Sequence, residues 1–517
     1  MKKITLFLLI LTISYHTQAQ YFTDIKADLY HHINCGGVWF DQDDDGDLDL
    51  ILTGHLLKNK FPNAASKYYK NINRERDFTY LYSGIINLGF SDADAADYDN
   101  DGDIDILVSG ANKNKKPTTF LYENRRTNKF LYKKTSLKNL SHSSVAFADY
   151  NRDGNQDIAI SGLDELSVPQ TIIYSGNGKG AFYDIKSNIE GVYDGTLAWG
   201  DYDNDGDYDL LISGKTHDDR AITSLYKNIN NTFVKVQIDF PGLKSSDAAW
   251  GDYDNDGDVD FIICGEDNNG NISTLLFNNL GNNSFLKVST DIPGVRTGSV
   301  DWGDFDHDGD LDILITGESY NNTIFSRVYR NDRDNIFFKI DAGITGVYLS
   351  DGAWGDYDND GDLDLFISGM TKDHNPTSKI YRNERIKKVK NNTNFVENTD
   401  DYSSDIWNRK PTLINKENYY FLISSCFCIP DSSYTKEDFH LFISEVFKLN
   451  LPHYHPDLYF DNIIREHEFW GEIKSSFPSE GHTTLKEAQK ARVAFIKKYR
   501  KENYNIHYIK WLNQPKK

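Results

Sequence analysis

The sequence predicts a mainly β protein: a seven-bladed β-propeller closed by its N-terminal strand and followed by a small α/β domain. Three observations carry that prediction. An acidic phrase recurs seven times at a near-constant interval, the residues between copies read as four short strands, and both regularities stop near Asn391.

The phrase is FDQDDDGDLDLILTG from Phe40, ADYDNDGDIDILVSG from Ala96, ADYNRDGNQDIAISG from Ala148 and GDYDNDGDYDLLISG from Gly200. It returns as GDYDNDGDVDFIICG from Gly251, GDFDHDGDLDILITG from Gly303 and GDYDNDGDLDLFISG from Gly355. Its glycines (Gly46, Gly102, Gly154, Gly206, Gly257, Gly309, Gly361) lie 56, 52, 52, 51, 52 and 52 residues apart. In the fourth unit AWGDYD, DLLIS, TSLYKNI and TFVKVQI alternate apolar and polar residues between turn residues, a four-stranded meander of the size of one propeller blade. Trp39, Trp199, Trp250, Trp302 and Trp354 share one register, with Ala95 and Phe147 in the other two units, and are expected to pack between blades. The last unit lacks a fourth strand after KIYRNE. The segment from Tyr21 aligns with the fourth strand of other units, so Tyr21 to Ile25 is expected to pair beside Lys379 to Glu384 and close the ring, removing two exposed sheet edges.

Residues 1–19 carry Lys2 and Lys3, an apolar run from Ile4 to Ile13 and a small-residue exit at Ala19, which predicts a secretory signal peptide. The apolar run is too short to span a bilayer, and no transmembrane segment is expected elsewhere. The chain is 39% hydrophobic and 14% aromatic, enough for a packed core, so a disordered chain is excluded. A formal charge of -22 argues against nucleic acid and anionic lipid and for cations or neutral partners. Four cysteines, Cys35, Cys264, Cys426 and Cys428, are too few and scattered for a disulfide framework. The propeller is expected over residues 20–386, a linker over 387–416 and the α/β domain over 417–517.

Each phrase sets carboxylates at alternate positions of a tight turn, the chemistry of a hard cation that takes six to eight oxygens, and position 7 adds a carbonyl. The candidate metal ligands are Asp41, Asp43, Asp45, Asp47 and Asp49 in the first unit, and Asp97, Asp99, Asp101, Asp103 and Asp105 in the second. Asp149, Asn151, Asp153, Asn155 and Asp157 follow, then Asp201, Asp203, Asp205, Asp207 and Asp209. The last three sets are Asp252, Asp254, Asp256, Asp258 and Asp260; Asp304, Asp306, Asp308, Asp310 and Asp312; and Asp356, Asp358, Asp360, Asp362 and Asp364. Position 12, where an EF-hand needs an acid, holds Leu52, Val108, Ile160, Ile212, Ile263, Ile315 and Ile367, which excludes that loop. Two carboxylates about 5 Å apart repel by about 3 kcal/mol at an effective dielectric near 20, so the crowding calls for a cation, and up to seven calcium ions are expected. Magnesium is less apt because it keeps its waters. In the third unit Asn151, Asn155 and the cation of Arg152 predict the weakest calcium site.

Seven DxDxDGxxD loops, each opening a strand, resemble the FG-GAP or VCBS repeats of integrin α-subunit propellers and of many secreted bacterial proteins. The resemblance covers residues 20–385. It implies a calcium-stabilised propeller for adhesion or carbohydrate binding, with ligand loops on the face opposite the metal loops. The same blades also occur in polysaccharide lyases and in plain scaffolds.

Connectivity places the loops entering each first strand, and those leaving each second strand, on that opposite face. There the units differ: Tyr193, Lys244, Arg296 and Tyr348 are candidate ligand contacts, aromatic rings suiting sugars and cations suiting carboxylates. No GxSxG, HExxH or phosphate-binding glycine loop is present, and Glu266 and Glu318 read as repeat symmetry, so no catalytic residue is expected. The reading is a secreted module that recognises a glycan or an extracellular protein, with a polysaccharide lyase or hydrolase, or a scaffold for the C-terminal domain, as alternatives.

In that domain YYFLISSCF from Tyr419 reads as a strand, Thr435 and Asp438 cap a helix striped by Phe439, Phe442, Ile443, Val446 and Phe447, and a second helix covers Asp457 to Ser475. Thr484 and Glu487 start a third helix, and NIHYIKW closes with a strand.

Overall fold

Seven four-stranded antiparallel sheets follow one another along the chain. The computed structural model describes residues 22–58, 61–72, 77–127, 129–333 and 335–384, and six strands between Asn418 and Ile509. The expected signal peptide and linker, and the helix expected from Thr484, lie outside the described residues. The chain divides into two compact units, of which Ala19–Val389 holds the seven sheets.

Blade four shows the plan: Leu197–Gly200, Asp209–Lys215, Ala221–Ile229 and Thr232–Lys235 pair in sequence order. Each blade's first strand contacts the first strands of both neighbours, including blade seven with blade one, so first strands are innermost and the ring is closed. Closure uses the expected latch. Phe22–Asp24 pairs antiparallel with Pro376–Asn383, Phe22 opposite Asn383, and completes the blade begun by Tyr348–Gly355 and Asp364–Met370. Phe22 is fully buried against Phe305 and Trp354 at ring-centroid distances of 5.8 and 5.9 Å.

The tryptophans pack between blades as expected. Trp199 stacks on Tyr150 of the preceding blade (6.0 Å, 7°), Trp302 on Tyr253 (6.0 Å, 10°), Trp354 on Phe305 (6.0 Å, 6°) and Trp39 on Tyr357 (6.4 Å, 15°). Indole N–H groups reach back as well, from Trp250 to the Ala198 carbonyl at 3.1 Å and from Trp302 to that of Ala249 at 3.2 Å. This geometry explains the glycine that opens four of the phrases. A Cβ on Gly200 would lie 2.8 Å from Trp250, one on Gly303 2.8 Å from Trp354, and one on Gly355 2.6 Å from Trp39. Blade two carries the small Ala95 where five blades have tryptophan and blade three has Phe147, and there the preceding blade has Phe40 at the position of the glycine, buried with Ala95 packed against its cluster. Phe40 and Ala95 compensate each other in volume.

The innermost strands carry a second link. Asp92 accepts from the Val145 N–H (3.0 Å), Asp94 from Phe147 (2.8 Å), Asp247 from Val300 (3.0 Å), Asp301 from Trp354 (3.1 Å) and Asp351 from Gly37 (2.6 Å), each across a blade boundary. Burial, more than the repulsion of facing carboxylates, pushes their pKa values up, to about 6 in Asp94 and Asp247, about 7 in Asp92 and Asp301 and about 8 in Asp351.

In the C-terminal unit one sheet runs in the order Ile473–Pro478, Leu422–Phe427, Phe439–Ser444, Asn505–Ile509, the last pair parallel, and Asn418–Tyr420 pairs with Phe447–Leu449. The strands expected at Tyr419 and in NIHYIKW are present. Within the helix expected over Phe439 to Phe447, Phe439–Ser444 is instead strand: Phe439, Leu441 and Ile443 also alternate with period two, and aromatic and β-branched residues suit a strand with partners on both sides. Ile473–Pro478 likewise replaces the end of the second expected helix, whose remainder lies outside the described residues.

Two outcomes follow for the propeller. Ala95→Trp alone overpacks the first blade boundary by about 1–3 kcal/mol, and Phe40→Gly alone empties it at a cost of about 3–5 kcal/mol. The double variant recovers most of both losses, and additive losses in urea denaturation contradict the packing described here. The second concerns pH. The folded chain keeps protons on Asp92, Asp301 and Asp351 to higher pH than the unfolded chain, whose carboxyls titrate near 3.8, so this stability is lost as pH rises through about 7 to 8. In chelator, the thermal midpoint is expected to fall between pH 7 and 8.5; a rise across that window would count against it.

Candidate functional site

Each acidic phrase forms the turn between the first and second strands of its blade, so all seven turns sit on one face of the ring. In blade four the Asp201 carboxylate accepts from the Gly206 N–H at 2.8 Å, and Asp205 accepts from Asp207 at 3.0 Å. Gly206 has φ +84°, and the other phrase glycines fall between +81° and +96°, a conformation that favours glycine. Asp209 at position 9 is fully buried at the start of the second strand. Its two oxygens accept from Asn228 N–H at 2.7 Å and Tyr202 N–H at 3.2 Å.

Positions 1, 3 and 9 converge: single carboxylate oxygens of Asp201, Asp203 and Asp209 lie within 4.8 Å of one another, as do those of Asp97, Asp99 and Asp105, and of Asp252, Asp254 and Asp260. Position 5 joins in blade one, with Asp41, Asp43 and Asp45, and in blade two, where Asp99 and Asp101 gather with Glu123. At position 3, Oδ1 of Asp43, Asp99, Asp203 and Asp358 is buried without a hydrogen-bond partner among the described residues. In blade three the buried Asp157 leaves Oδ2 in the same condition. Oxygen donors that converge while unpartnered fit a hard cation. Burial pushes the position-9 carboxyls up, to about 7 in Asp49, Asp157, Asp209 and Asp260, about 8 in Asp105 and about 9 in Asp312 and Asp364. A cation at the turn would hold them ionised.

Position 7 has a further use for its side chain. Asn204 Nδ2 at position 4 of blade four donates to the Gly257 carbonyl at 3.0 Å and to Asp258 at 2.7 Å, and Asn255 does the same to Gly309 (3.2 Å) and Asp310 (2.9 Å). Asn100 reaches Gly154 at 3.4 Å and Asn155 at 3.2 Å. Adjacent loops are therefore chained, position 4 of one blade to position 7 of the next. This corrects the expectation for Arg152. At position 4 with φ +57°, its guanidinium reaches across to blade four, donating to the Asp205 and Gly206 carbonyls and pairing with Asp207 at 2.9 Å. The cation serves the fourth loop, not its own.

One element escaped sequence reasoning. At the end of the third strand, or within one residue of it, lie Asn71, Asn124, Asn228, Asn279, Asn331 and Asn383, with Gly176 in blade three. Each of these residues donates its N–H to the position-9 carboxylate of its own blade. The asparagine side chain meanwhile donates to the position-2 carbonyl of the preceding blade, as Asn331 does to Tyr253 and Asn279 to Tyr202, both at 2.6 Å. The signal was an asparagine recurring 22 or 19 residues after position 9 in six of seven units.

On the opposite face Tyr193 pairs with Lys215, Lys244 with Glu266, Arg296 with Glu318 and Tyr348 with Met370, one cross-strand pair per blade. All four candidate ligand residues thus share one mouth, but their polar groups have partners. Arg296 bonds Glu266 and lies 3.2 Å from Glu318, Lys244 lies 3.3 Å from Glu266, Tyr193 donates to Asp219, and the Tyr348 hydroxyl meets His374 Nδ1 at 3.2 Å. Glu266 and Glu318 are held by one guanidinium, which suits neither for acid–base work. The mouth of blades one to three differs: Phe90, 40% exposed, stacks on His142 at 4.2 Å and meets the His55 ring edge-on at 4.7 Å. Among the described residues, no helix is long and apolar enough to cross a membrane.

The FG-GAP-like repeat family matches residues 97–160, 201–263 and 252–315, so the chain carries FG-GAP-like repeats. No curated protein sequence matches it. Among solved structures it is similar to a mutant of the Aleuria aurantia lectin in complex with α-methyl-L-fucoside (11% identity, 62% of this chain and 99% of that one, TM-score 0.35). It is also similar to a Bacillus licheniformis rhamnogalacturonan lyase (12%, 68% and 71%, 0.39) and a Penicillium chrysogenum α-L-arabinanase (8%, 70% and 97%, 0.37).

Asn331→Ala removes a buried donor from the Tyr253 carbonyl and is expected to cost about 1–3 kcal/mol in denaturant unfolding. An unchanged midpoint would mean that the bond adds nothing to the contact between blades five and six.

Proposed function

We propose that this propeller of FG-GAP-like repeats is a secreted, calcium-loaded recognition module that presents the mouth opposite its acidic turns to a glycan or an extracellular protein. The observation that carries the calcium part is the set of position-3 oxygens, on Asp43, Asp99, Asp203 and Asp358, buried without hydrogen-bond partners in turns that gather further carboxylates. Calcium would bring oxygen-seeking, flexible coordination to each turn. It would neutralise repulsion of about 3 kcal/mol per carboxylate pair and fix the register of the second strand, which starts at position 9.

Recognition is assigned to the far mouth because the repeats diverge there while the turns stay alike. Arg296, balanced by two glutamates, is poorly placed to bind an anionic sugar. Phe90 with His142, and Tyr193 with Tyr348, offer ring faces to the apolar side of a neutral one. The role of the chain is presentation: packed blades hold the ring, cations stiffen one face, and unequal pairs on the other select the ligand. A polysaccharide-active enzyme needs two acids free of cations, and Glu266 and Glu318 do not meet that requirement.

A glycan array probed with the full chain in calcium and in EDTA tests this. Calcium-dependent binding to defined neutral sugars, weakened about tenfold or more by Phe90→Ala or Tyr348→Ala, is the expected result. Absence of binding in both buffers removes the glycan reading, and equal thermal midpoints in the two buffers remove calcium.

A further inference from the structure

In blades one to five the third-strand residue just before the recurrent asparagine, or before Gly176 in blade three, meets position 3 of the acidic turn, and it differs from blade to blade; in blades six and seven it is Arg330 and Arg382, which pair with Asp332 and Glu384. In blades one and four it is a lysine: Lys70 bonds Asp43, and Lys227 bonds Asp203 while lying 3.2 Å from Asp205. In blade two it is Glu123, whose carboxylate joins those of Asp99 and Asp101 within 4.8 Å, its other contacts being Arg125 at 2.8 Å and Lys133 at 3.7 Å. Blades three and five are neutral there, with Ser175 accepting from Asn151 at 3.3 Å and Asn278 donating to Asp254 at 2.5 Å.

We propose that this single position grades the seven turns as cation sites, with blade two filled first and blade four last. The proposal rests on the calcium reading above. Glu123 adds a carboxylate beside positions 3 and 5, the side of the turn away from Arg126, which bonds the Gly102 carbonyl and Asp103 at position 7. Lys227 does the reverse, since its ammonium occupies the carboxylates that a divalent ion would use and must be displaced before the ion can bind. Blade four carries a second cation, because Arg152 takes the Asp205 and Gly206 carbonyls and pairs with Asp207. Its turn is held together by cationic side chains of the protein itself, and it keeps its shape at calcium concentrations that leave it empty. Blade three, with fewer acids but no cation of its own on the turn, falls between.

The test is calcium titration of the chelator-stripped full chain by equilibrium dialysis and calorimetry, beside Lys227→Gln, Lys227→Glu and Glu123→Gln, with circular dichroism confirming that each variant folds. The wild-type chain is expected to show graded sites. Glu123→Gln weakens the tightest by about tenfold, the order left after screening when one unit charge some 5 Å from the ion is lost. Lys227→Gln tightens the weakest by a similar factor, and Lys227→Glu, which copies the blade-two arrangement, tightens it further. Seven equal sites, or Lys227 variants that bind like the wild-type chain, overturn the grading while leaving calcium binding intact. No calcium uptake by the wild-type chain overturns the calcium reading itself, and the grading with it.

Discussion

No blade buries its apolar face alone. The seven buried clusters of the propeller each draw residues from two adjacent blades, from the set around Tyr253 and Tyr329 to the one that joins Leu50 and Tyr69 to Tyr357 and Phe366. The core is a ring of interfaces, and it is complete only when the last interface forms. Everything else hangs on that closure. The three-residue strand Phe22–Asp24 matters beyond its length because it supplies the fourth strand of blade seven and places Phe22 in the cluster shared by blades six and seven.

The same boundary carries three kinds of bond stacked from the middle of the ring outward to the acidic face. Innermost-strand aspartates accept from the next blade's backbone, tryptophan or phenylalanine rings stack across the middle, and third-strand asparagines tie each blade to the start of its neighbour's acidic turn. The turn is therefore coupled to the core through position 9, which is buried, bonded to its own third strand and part of the carboxylate cluster at once. That coupling explains how a cation at the surface could steady a β-rich ring.

Electrostatics decides what the turns can do separately. A turn that gathers four or five carboxylates either holds a cation, protonates, or borrows a cationic side chain, and different blades combine these remedies differently. Lysines on Asp43 and Asp203, and Arg152 crossing from blade three to blade four, show the third remedy at work. A sequence read one repeat at a time assigns Arg152 to its own loop. The left-handed backbone at position 4 turns it into the next blade.

The sequence by itself determined the number of blades, the strand plan of each, the closing strand and the residues of the acidic turns, because each is a local pattern repeated seven times and a repeat averages away local accident. It also showed the tryptophan register, though not why Phe40 stands where other units have glycine. That needed the packing, which sets Phe40 against Ala95 of the next blade. Tertiary structure alone decided which charges meet: Arg296 between two glutamates, Lys227 on position 3, asparagine side chains on a neighbouring blade's carbonyl. Such contacts join residues some 20 to 80 positions apart along a curved surface, and no period within one strand encodes them. The C-terminal unit shows the same limit. Phe439 to Ser444 satisfies both a helical and an alternating pattern, and its pairing with Leu422–Phe427 and Asn505–Ile509, strands distant in sequence, selected the strand.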